Sequence, residues 1–254
     1  MALSLLHRRP PAVLGGLGAA LAVTGALLSW PLVTRAGTGA DLTVGALYGV
    51  DAGTGQRLEQ HHCTASVVHS RSGNTLVTAA HCALSDQPLY FVPGLRPGRR
   101  PLGSWPVVDR VLSEDWDESR DPDLDVAFLK VGPDRPGGPP IEQVTGANVF
   151  RAGTDFGQPV QLTGYPIGSD QPVTCQTETG RQSARQYRLD SPDFTDGTSG
   201  GPLVVRGGAS GSGPDEVIGV IGGYQEGGDS PDVSYAARFG DEVAELYGRA
   251  VRLG

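Results

Sequence analysis

Three residue types that cooperate in nucleophilic catalysis stand in three separate local motifs. His81 lies in TLVTAAHC, Asp125 begins the apolar run DVAFLKV, and Ser199 lies in the glycine-rich turn GTSGGP. A serine hydroxyl is a weak nucleophile, so an imidazole must accept its proton during attack. A buried carboxylate must hold that imidazole in one tautomer. Together the three side chains could hydrolyse an amide bond.

Glycines flank Ser199 on both sides. A tetrahedral oxyanion needs donors that are in place before the reaction, and the backbone N–H groups of Gly197 and Ser199 could supply them. Gly197 can adopt a backbone conformation that a Cβ would disfavour, and Gly200–Gly201 allow neighbouring chains to approach closely. We therefore predict an oxyanion hole at Gly197 and Ser199.

Two acids compete with Asp125 for the carboxylate role. Asp121 and Asp123 stand just upstream, but only Asp125 is followed directly by the strand. The other two are typical of a solvated turn. We therefore assign the carboxylate to Asp125.

A metal site is the alternative for the histidines near the cysteines. His61 and His62 stand beside Cys63, and His81 stands beside Cys82. Adjacent residues of a strand point to opposite faces, and we expect the cysteines to form a disulfide rather than bind metal. No metal and no cofactor is therefore expected.

The rest of the chain predicts mostly strands. From Asp41 on, short apolar runs alternate with clusters of Gly, Pro, Asn and Asp. Only Gly240–Leu253 has apolar residues at helical spacing. The Pro- and Gly-dense stretch Gly132–Pro140 cannot be a central strand. We predict a first β-barrel over residues 41–131, a linker over 132–143, and a second barrel with a C-terminal helix over 144–254.

The N-terminus predicts export from the cytoplasm. Basic residues 7–9 precede an uncharged stretch from Pro11 to Val33, and small residues end at Ala36 or Ala40. This pattern is typical of a secretory signal. The stretch is also about as long as a membrane-spanning helix, so an uncleaved anchor over residues 1–40 is the alternative. Both place the remainder outside the cytoplasm.

The net charge limits the classes of binding partner, and the cysteine count limits the number of disulfides. The net charge is −8, with no basic run beyond Arg99–Arg100, which argues against a nucleic-acid partner. Three cysteines give one pair and one left over. We expect a monomer, with a transient membrane contact through the N-terminal segment.

The three motifs together resemble those of the chymotrypsin/trypsin-fold serine endopeptidases, most of all their secreted bacterial branch. TAAHC is the family's histidine motif, DVAFLKV resembles its aspartate-bearing strand, and GTSGGP differs from the animal GDSGGP at one position. The resemblance runs from about Val44 to the C-terminus. It implies an all-β fold of two six-stranded antiparallel barrels of the chymotrypsin type with a C-terminal α-helix. It also implies a Cys63–Cys82 disulfide.

Two departures from the family carry expectations of their own. Thr198 replaces the aspartate that pairs with the freed N-terminus in animal enzymes, and the chain has no IVGG start, so that activation switch is expected to be absent. Ser191 replaces a cysteine of bacterial relatives and leaves Cys175 without a mate. The loss of that disulfide should loosen one wall of the specificity pocket.

The resemblance also suggests where specificity is set. An acid at the position of Asp193 lies at the base of the S1 pocket in trypsin-like enzymes and pairs with Arg or Lys of the substrate. A simpler alternative is that Asp193 stays in a turn. Gly222 and Gly223 could offer backbone to an extended substrate, and Tyr224 could partly fill the pocket. Asp196 is expected to be an exposed loop residue near the entrance.

The function predicted from these features is that of a secreted serine endopeptidase acting on polypeptides through an acyl-enzyme. The catalytic residues would be His81, Asp125 and Ser199. Two alternatives stay open. One is a protease-fold binding protein with a closed pocket, and the other is an esterase on the same scaffold.

Overall fold

The computed structural model describes residues 32–35, 41–50, 59–84 and 87–253, the first range by its backbone alone. The described residues belong to one structural unit, Pro31–Gly254. The predicted signal or anchor segment, residues 1–40, lies outside them except for the strand β1, Leu32–Arg35. No helix in the described ranges is both long and apolar enough to cross a membrane.

Six strands of the first half form a closed antiparallel barrel in the order β2-β3-β4-β7-β6-β5. Their apolar side chains, with Trp105 and Phe91 among the largest, fill the interior. The strand bounds are β2 Val44–Gly49, β3 Cys63–Val68, β4 Thr75–Thr78, β5 Leu89–Pro93, β6 Trp105–Val111 and β7 Ala127–Val131.

Strands of the second half, with β1 at one edge, form a nine-stranded sheet in the order β1-β10-β9-β13-β14-β15-β12-β11, and β8 pairs with β14. The sheet curls until β10 and β12 approach each other, and the Cys175 thiol of β10 lies 3.8 Å from the carbonyl oxygen of Asp190 in β12. The remaining strands are β8 Val149–Phe150, β9 Pro159–Gly164, β10 Val173–Glu178, β11 Gly180–Arg181, β12 Gln186–Asp190, β13 Pro202–Val205, β14 Glu216–Ile221 and β15 Val233–Arg238.

Within the described ranges three α-helices accompany the strands: α1 Glu114–Ser119, α2 Ile141–Thr145 and α3 Asp241–Arg252. Helix α3 is the helix predicted from apolar spacing, and it buries Val243, Leu246 and Ala250. The same apolar cluster contains Phe128 of the first barrel and Val220 of the second, so α3 and both barrels share one core. The prediction of an all-β fold with two barrels and a C-terminal helix is confirmed.

Candidate active site

The turn around Ser199 requires glycine for steric reasons. Gly197 has a φ of 91° and Gly200 a φ of 81°, a backbone region that side chains disfavour. A Cβ at Gly197 would lie 2.7 Å from the carbonyl oxygen of Tyr165. A Cβ at Gly200 would clash with the Thr78 hydroxyl and the Thr64 carbonyl of the first barrel. The glycines therefore let the turn of the second barrel pack directly on the first.

His81 lies in a short 3-10 turn, Ala80–Ala83, that follows β4. The neighbouring Cys82 forms a disulfide with Cys63 of β3, with a Cα–Cα distance of 6.0 Å. The pairing implied by the family resemblance is confirmed. The disulfide fastens the histidine-bearing turn to the barrel wall.

Asp125 is 3 % exposed and lies between the 3-10 turn Pro122–Leu124 and β7. Its Oδ2 accepts hydrogen bonds from His81 Nδ1 at 2.8 Å and from the Gly223 N–H at 2.7 Å. Its Oδ1 accepts the His81 backbone N–H at 2.9 Å. Because the carboxylate accepts a hydrogen bond from Nδ1–H, the neutral imidazole carries its proton on Nδ1. Nε2 of His81 is then unprotonated and can act as a base.

The pKa values of this pair shift in opposite directions. Burial raises the pKa of Asp125, but the hydrogen bond and charge of His81 and the N–H groups of Gly223 and His81 outweigh it, so the net pKa is lowered. Burial lowers the pKa of His81, but Asp125, followed by the charge of Glu226, outweighs it, so the net pKa is raised. Each partner thus favours the charged form of the other.

His81 and Ser199 line the same cavity, which has a volume of about 360 Å³. The Ser199 hydroxyl donates to the carbonyl oxygen of Glu226, which also lines the cavity, at 3.3 Å. The N–H groups of Gly197 and Ser199 donate to no acceptor within the described part of the chain. Two backbone donors are thus free to act on a carbonyl group placed in the cavity.

The residues predicted for the specificity pocket are not among those that line this cavity. Asp193 is exposed in a left-handed conformation, with φ 69°, and does not line the cavity. The Gly223 N–H is already bonded to Asp125, and a Cβ at Gly222 would lie 2.8 Å from the same carboxylate. Tyr224 is 42 % exposed and packs edge-on against Tyr235 instead of entering the cavity.

Residues close in sequence to the predicted ones line the cavity instead. They include Phe194, Asp196, Glu226, Asp229 and the buried Ser234. Asp196 is exposed, as expected for a residue near the entrance. The carboxylates at this cavity are therefore different from the one that sequence spacing suggested.

Ser191 is held more firmly than the loss of a disulfide suggested. Its buried hydroxyl donates to Ser234 Oγ at 2.6 Å, and its N–H donates to the carbonyl oxygen of Asp232 at 2.9 Å. Cys175 is unpaired and buried, and burial raises the pKa of its thiol to about 11. The expected loosening of this wall is offset by hydrogen bonds.

The competing acids and histidines have other partners. Asp121 Oδ1 accepts the N–H of Asp123, and Asp123 Oδ1 accepts from Gln186, so neither bonds to His81. His61 and His62 bond to the carbonyl oxygens of Ser169 and Cys82, each through Nε2. The sulfur atoms near His81 are bonded to each other and so are not thiolate ligands. The donor set does not fit a metal.

Sequence patterns missed Glu226 and Thr64, which both bond to Ser199. Glu226 is two residues beyond the predicted Tyr224, and its carbonyl oxygen accepts the Ser199 hydroxyl. Thr64, inside β3, donates its N–H to the Ser199 carbonyl at 2.8 Å. Neither belongs to a motif with a recognisable chemical role, so only the fold reveals them.

Comparison with known proteins agrees with this geometry. The model of the family described as Trypsin matches residues 47–240, which is more than half of the chain. The chain belongs to the trypsin family. The chain matches no curated protein.

Solved structures of bacterial-type proteases share the fold of this trypsin-family chain. The protease Anisep from Arthrobacter nicotinovorans has a TM-score of 0.68 at 18% identity, covering 83% of this chain and 96% of its own. The thermostable serine protease AL20 from an extremophilic microorganism has a TM-score of 0.69 at 22% identity, with coverages of 84% and 99%. A Glu endopeptidase has a TM-score of 0.64 at 15% identity, with coverages of 87% and 96%.

Proposed function

We propose that this trypsin-family chain is an exported serine endopeptidase that cleaves polypeptides through an acyl-enzyme. The observation that carries the proposal is the carboxylate of Asp125, which binds both the ring and the backbone of His81. That ring lines one cavity with Ser199. A nucleophile, a base and the group that orients the base are thus brought together from distant parts of the chain.

In the proposed reaction, Nε2 of His81 accepts the Ser199 hydroxyl proton as Oγ attacks the substrate carbonyl. The negative charge that forms on the carbonyl oxygen is bound by the N–H groups of Gly197 and Ser199. The protonated imidazole is stabilised by Asp125 and then gives its proton to the leaving amine. Water repeats these steps on the acyl-enzyme and regenerates the hydroxyl.

The hydrogen bond between Ser199 and the Glu226 carbonyl must break before attack. Rotation about the Cα–Cβ bond of Ser199 carries Oγ between staggered positions, and a substrate in the cavity displaces the Glu226 carbonyl. Catalytic hydrogen bonds are commonly long or misaligned in a free enzyme and tighten when substrate binds. The contact is therefore compatible with the proposed chemistry.

We propose that residues 1–40 direct export, by a cleaved signal or as an anchor. The disulfide supports export, because such bonds persist outside the cytoplasm. In the proposed arrangement, the barrel of residues 41–131 carries His81 and Asp125. A linker over 132–143 then joins it to the barrel of residues 144–254, which carries Ser199.

Labelling with a fluorophosphonate probe tests the proposal, with Ser199→Ala as the control. The wild-type chain should be labelled and the variant should not. Absence of Ser199-dependent labelling would contradict the enzyme and favour a binding protein whose cavity is closed by Glu226. Hydrolysis of esters but of no member of a peptide library would instead identify an esterase.

A further inference from the structure

The nucleophile turn contains four consecutive peptide groups, from 196–197 to 199–200, and two of them present the oxyanion donors. The Asp196 carbonyl accepts the Ile167 N–H at 2.7 Å, and the Thr198 carbonyl accepts the Gly201 N–H at 2.9 Å. In a trans peptide the N–H points opposite to the C=O. Each of these two bonds therefore fixes one peptide plane, with the N–H of Gly197 or Ser199 pointing away from the bonded carbonyl. Neither N–H has an acceptor among the described residues, so both can donate to a substrate oxygen.

In the other two peptide groups the N–H ends donate to the carbonyls of Thr195 and Ile221, and both carbonyl ends bond to one residue of the first barrel, Thr64. The Thr64 hydroxyl donates to the Gly197 carbonyl at 2.9 Å, and the Thr64 N–H donates to the Ser199 carbonyl at 2.8 Å. Thr64 thus contacts the carbonyl of each residue that offers an oxyanion donor. Its side chain is completely buried, with 0% exposure, so water cannot replace these bonds.

The direction of the Thr64 hydroxyl proton follows from its second partner. The Tyr165 N–H donates to the same Oγ1 at 2.9 Å and occupies one of its lone pairs. The proton of the hydroxyl is then free to bond to the Gly197 carbonyl alone. The Thr64 carbonyl in turn accepts the Thr78 hydroxyl at 2.7 Å, which fixes the residue in the barrel wall.

Gly197 is the residue of the turn that most needs such support. Without a Cβ it populates many backbone conformations, and only one of them aims its N–H into the cavity. The next residue, Thr198, donates its hydroxyl and its N–H to the Thr195 carbonyl, at 2.7 and 3.1 Å. That N–H bond holds one end of the 197–198 peptide, and the Gly197 carbonyl at the other end is held by the Thr64 hydroxyl.

We propose that Thr64 is a positioning residue for the oxyanion hole. Its hydroxyl holds the 197–198 peptide, so that the donors of Gly197 and Ser199 are in place before substrate binds and without any activating cleavage. The inference rests on the proposed serine endopeptidase activity and adds to it the group that keeps the oxyanion donors aligned.

The test compares Thr64→Val with Thr64→Ser in the exported protein. Valine keeps the shape of threonine and removes the hydroxyl, whereas serine keeps the hydroxyl. For Thr64→Val we expect kcat on a peptide substrate to fall about 10- to 100-fold, with KM within about twofold, because the donors are misplaced while ground-state binding is intact. For Thr64→Ser we expect kcat within about threefold of wild type.

Thr75→Val is the matched control for the loss of a buried threonine hydroxyl. Thr75 is also 0% exposed in the same barrel, and its hydroxyl bonds to Ser70 and Lys130 rather than to the turn. It should lower the melting temperature and leave kcat per folded molecule unchanged. If Thr64→Val gives too little folded protein, Thr64→Ala deletes the same hydroxyl and carries the same expectation.

Three results would overturn the inference. Thr64→Val with wild-type kcat shows that the hydroxyl does not position the donors. If kcat falls equally in Thr64→Val and Thr75→Val, or falls as far in Thr64→Ser as in Thr64→Val, the hydroxyl has a role in stability alone. If the wild-type protein shows no Ser199-dependent turnover, the proposed function itself fails, and the inference fails with it. If the wild type turns over substrate and Thr64→Val does so equally well, the inference alone fails.

Discussion

Asp125 acts on His81 through two different hydrogen bonds, one to the ring and one to the backbone. The backbone bond fixes the position of the residue, and the ring bond fixes its tautomer. An asparagine at position 125 has one acceptor oxygen and one NH2 group in place of the two carboxylate oxygens. It would preserve much of the backbone bond, but it would not offer the same acceptor to Nδ1. The two contributions can therefore be separated by mutation.

We expect Asp125→Asn to lower kcat by about 10⁴-fold in steady-state peptide hydrolysis, since the imidazole is then held in the wrong tautomer. The matched control is Asp123→Asn. Asp123 is a nearby acid that bonds to Gln186 rather than to His81. Equal losses in the two variants would show that the carboxylate of Asp125 has no special role.

Glu226 influences His81 through its charge. The carboxylate is among the groups that raise the pKa of His81, after the hydrogen bond and charge of Asp125, against the lowering effect of burial. Activity requires the neutral imidazole, so kcat/KM should fall as the pH drops below the His81 pKa. In wild type this acid limb should lie above the usual imidazole value of 6.5.

Glu226→Gln should move the acid limb of the kcat/KM profile to lower pH, because one of the charges that favour the imidazolium is gone. The shift should shrink at high salt, since Glu226 is exposed. Asp229→Asn is the control, because Asp229 lines the same cavity but is not among the groups that shift His81. An unchanged limb in Glu226→Gln, or an equal shift in both variants, would contradict this account.

Local motifs in the sequence were enough to bring His81 and Asp125 together as candidate site residues. They carried no information about residues whose position depends on the shape of a loop. His81 and Asp125 each adjoin a strand, so their place follows from the barrel. Asp193 is in a turn whose left-handed conformation points it to solvent, and sequence spacing carries no information on that. Thr64 alternates with apolar residues in β3, a pattern that indicates a solvent face until a second barrel covers it.

At the scale of elements, the Cys63–Cys82 disulfide joins β3 to the turn that carries His81, across a sequence separation of 19. Such a cross-link stabilises mainly by restricting the unfolded chain. Replacing both cysteines by alanine should lower the free energy of unfolding by about 3 kcal/mol. Urea denaturation measures this, with Cys175→Ala as a control. A loss below about 1 kcal/mol would contradict this account of the stabilisation.

Helix α3 is fastened to the first barrel by Lys130, the single lysine of the chain. Its buried ammonium donates to Ser72, Thr75 and the Ala250 carbonyl near the end of the helix, at 3.0, 3.1 and 3.3 Å. A cation at a helix C-terminus is favourable. Burial nevertheless lowers the pKa of Lys130, and the charge of Asp109 offsets only part of this.

The lowered pKa of Lys130 gives a prediction about alkaline stability. Between this folded-state pKa and the ordinary value of 10.5, the unfolded chain binds more protons than the folded one. The free energy of unfolding contributed by Lys130 therefore rises with pH across that window. Urea denaturation of wild type and Lys130→Met should show a difference that increases with pH in the wild type's favour. A constant difference would contradict the lowered pKa.

At the scale of the whole molecule, the candidate site exists only where the barrels meet. The first barrel supplies His81 and Asp125, the second supplies Ser199 and the oxyanion donors, and Thr64 bonds across the junction. The described residues from 41 onward supply every side chain of this arrangement. Strand β1 adds backbone pairing to the edge of β10 alone.

Removal of residues 1–36 or 1–40 should therefore leave the site intact. We expect the exported protein to begin at Gly37 or Asp41 and to hydrolyse peptides, as determined by mass spectrometry and activity on the purified product.

Signal cleavage requires a small residue just before the cut. Ala36→Leu should block processing at the first position and leave the second, and Ala40→Leu should do the reverse. A full-length, membrane-bound product in wild type would instead support the anchor, and loss of activity on cleavage would show that β1 stabilises the second barrel.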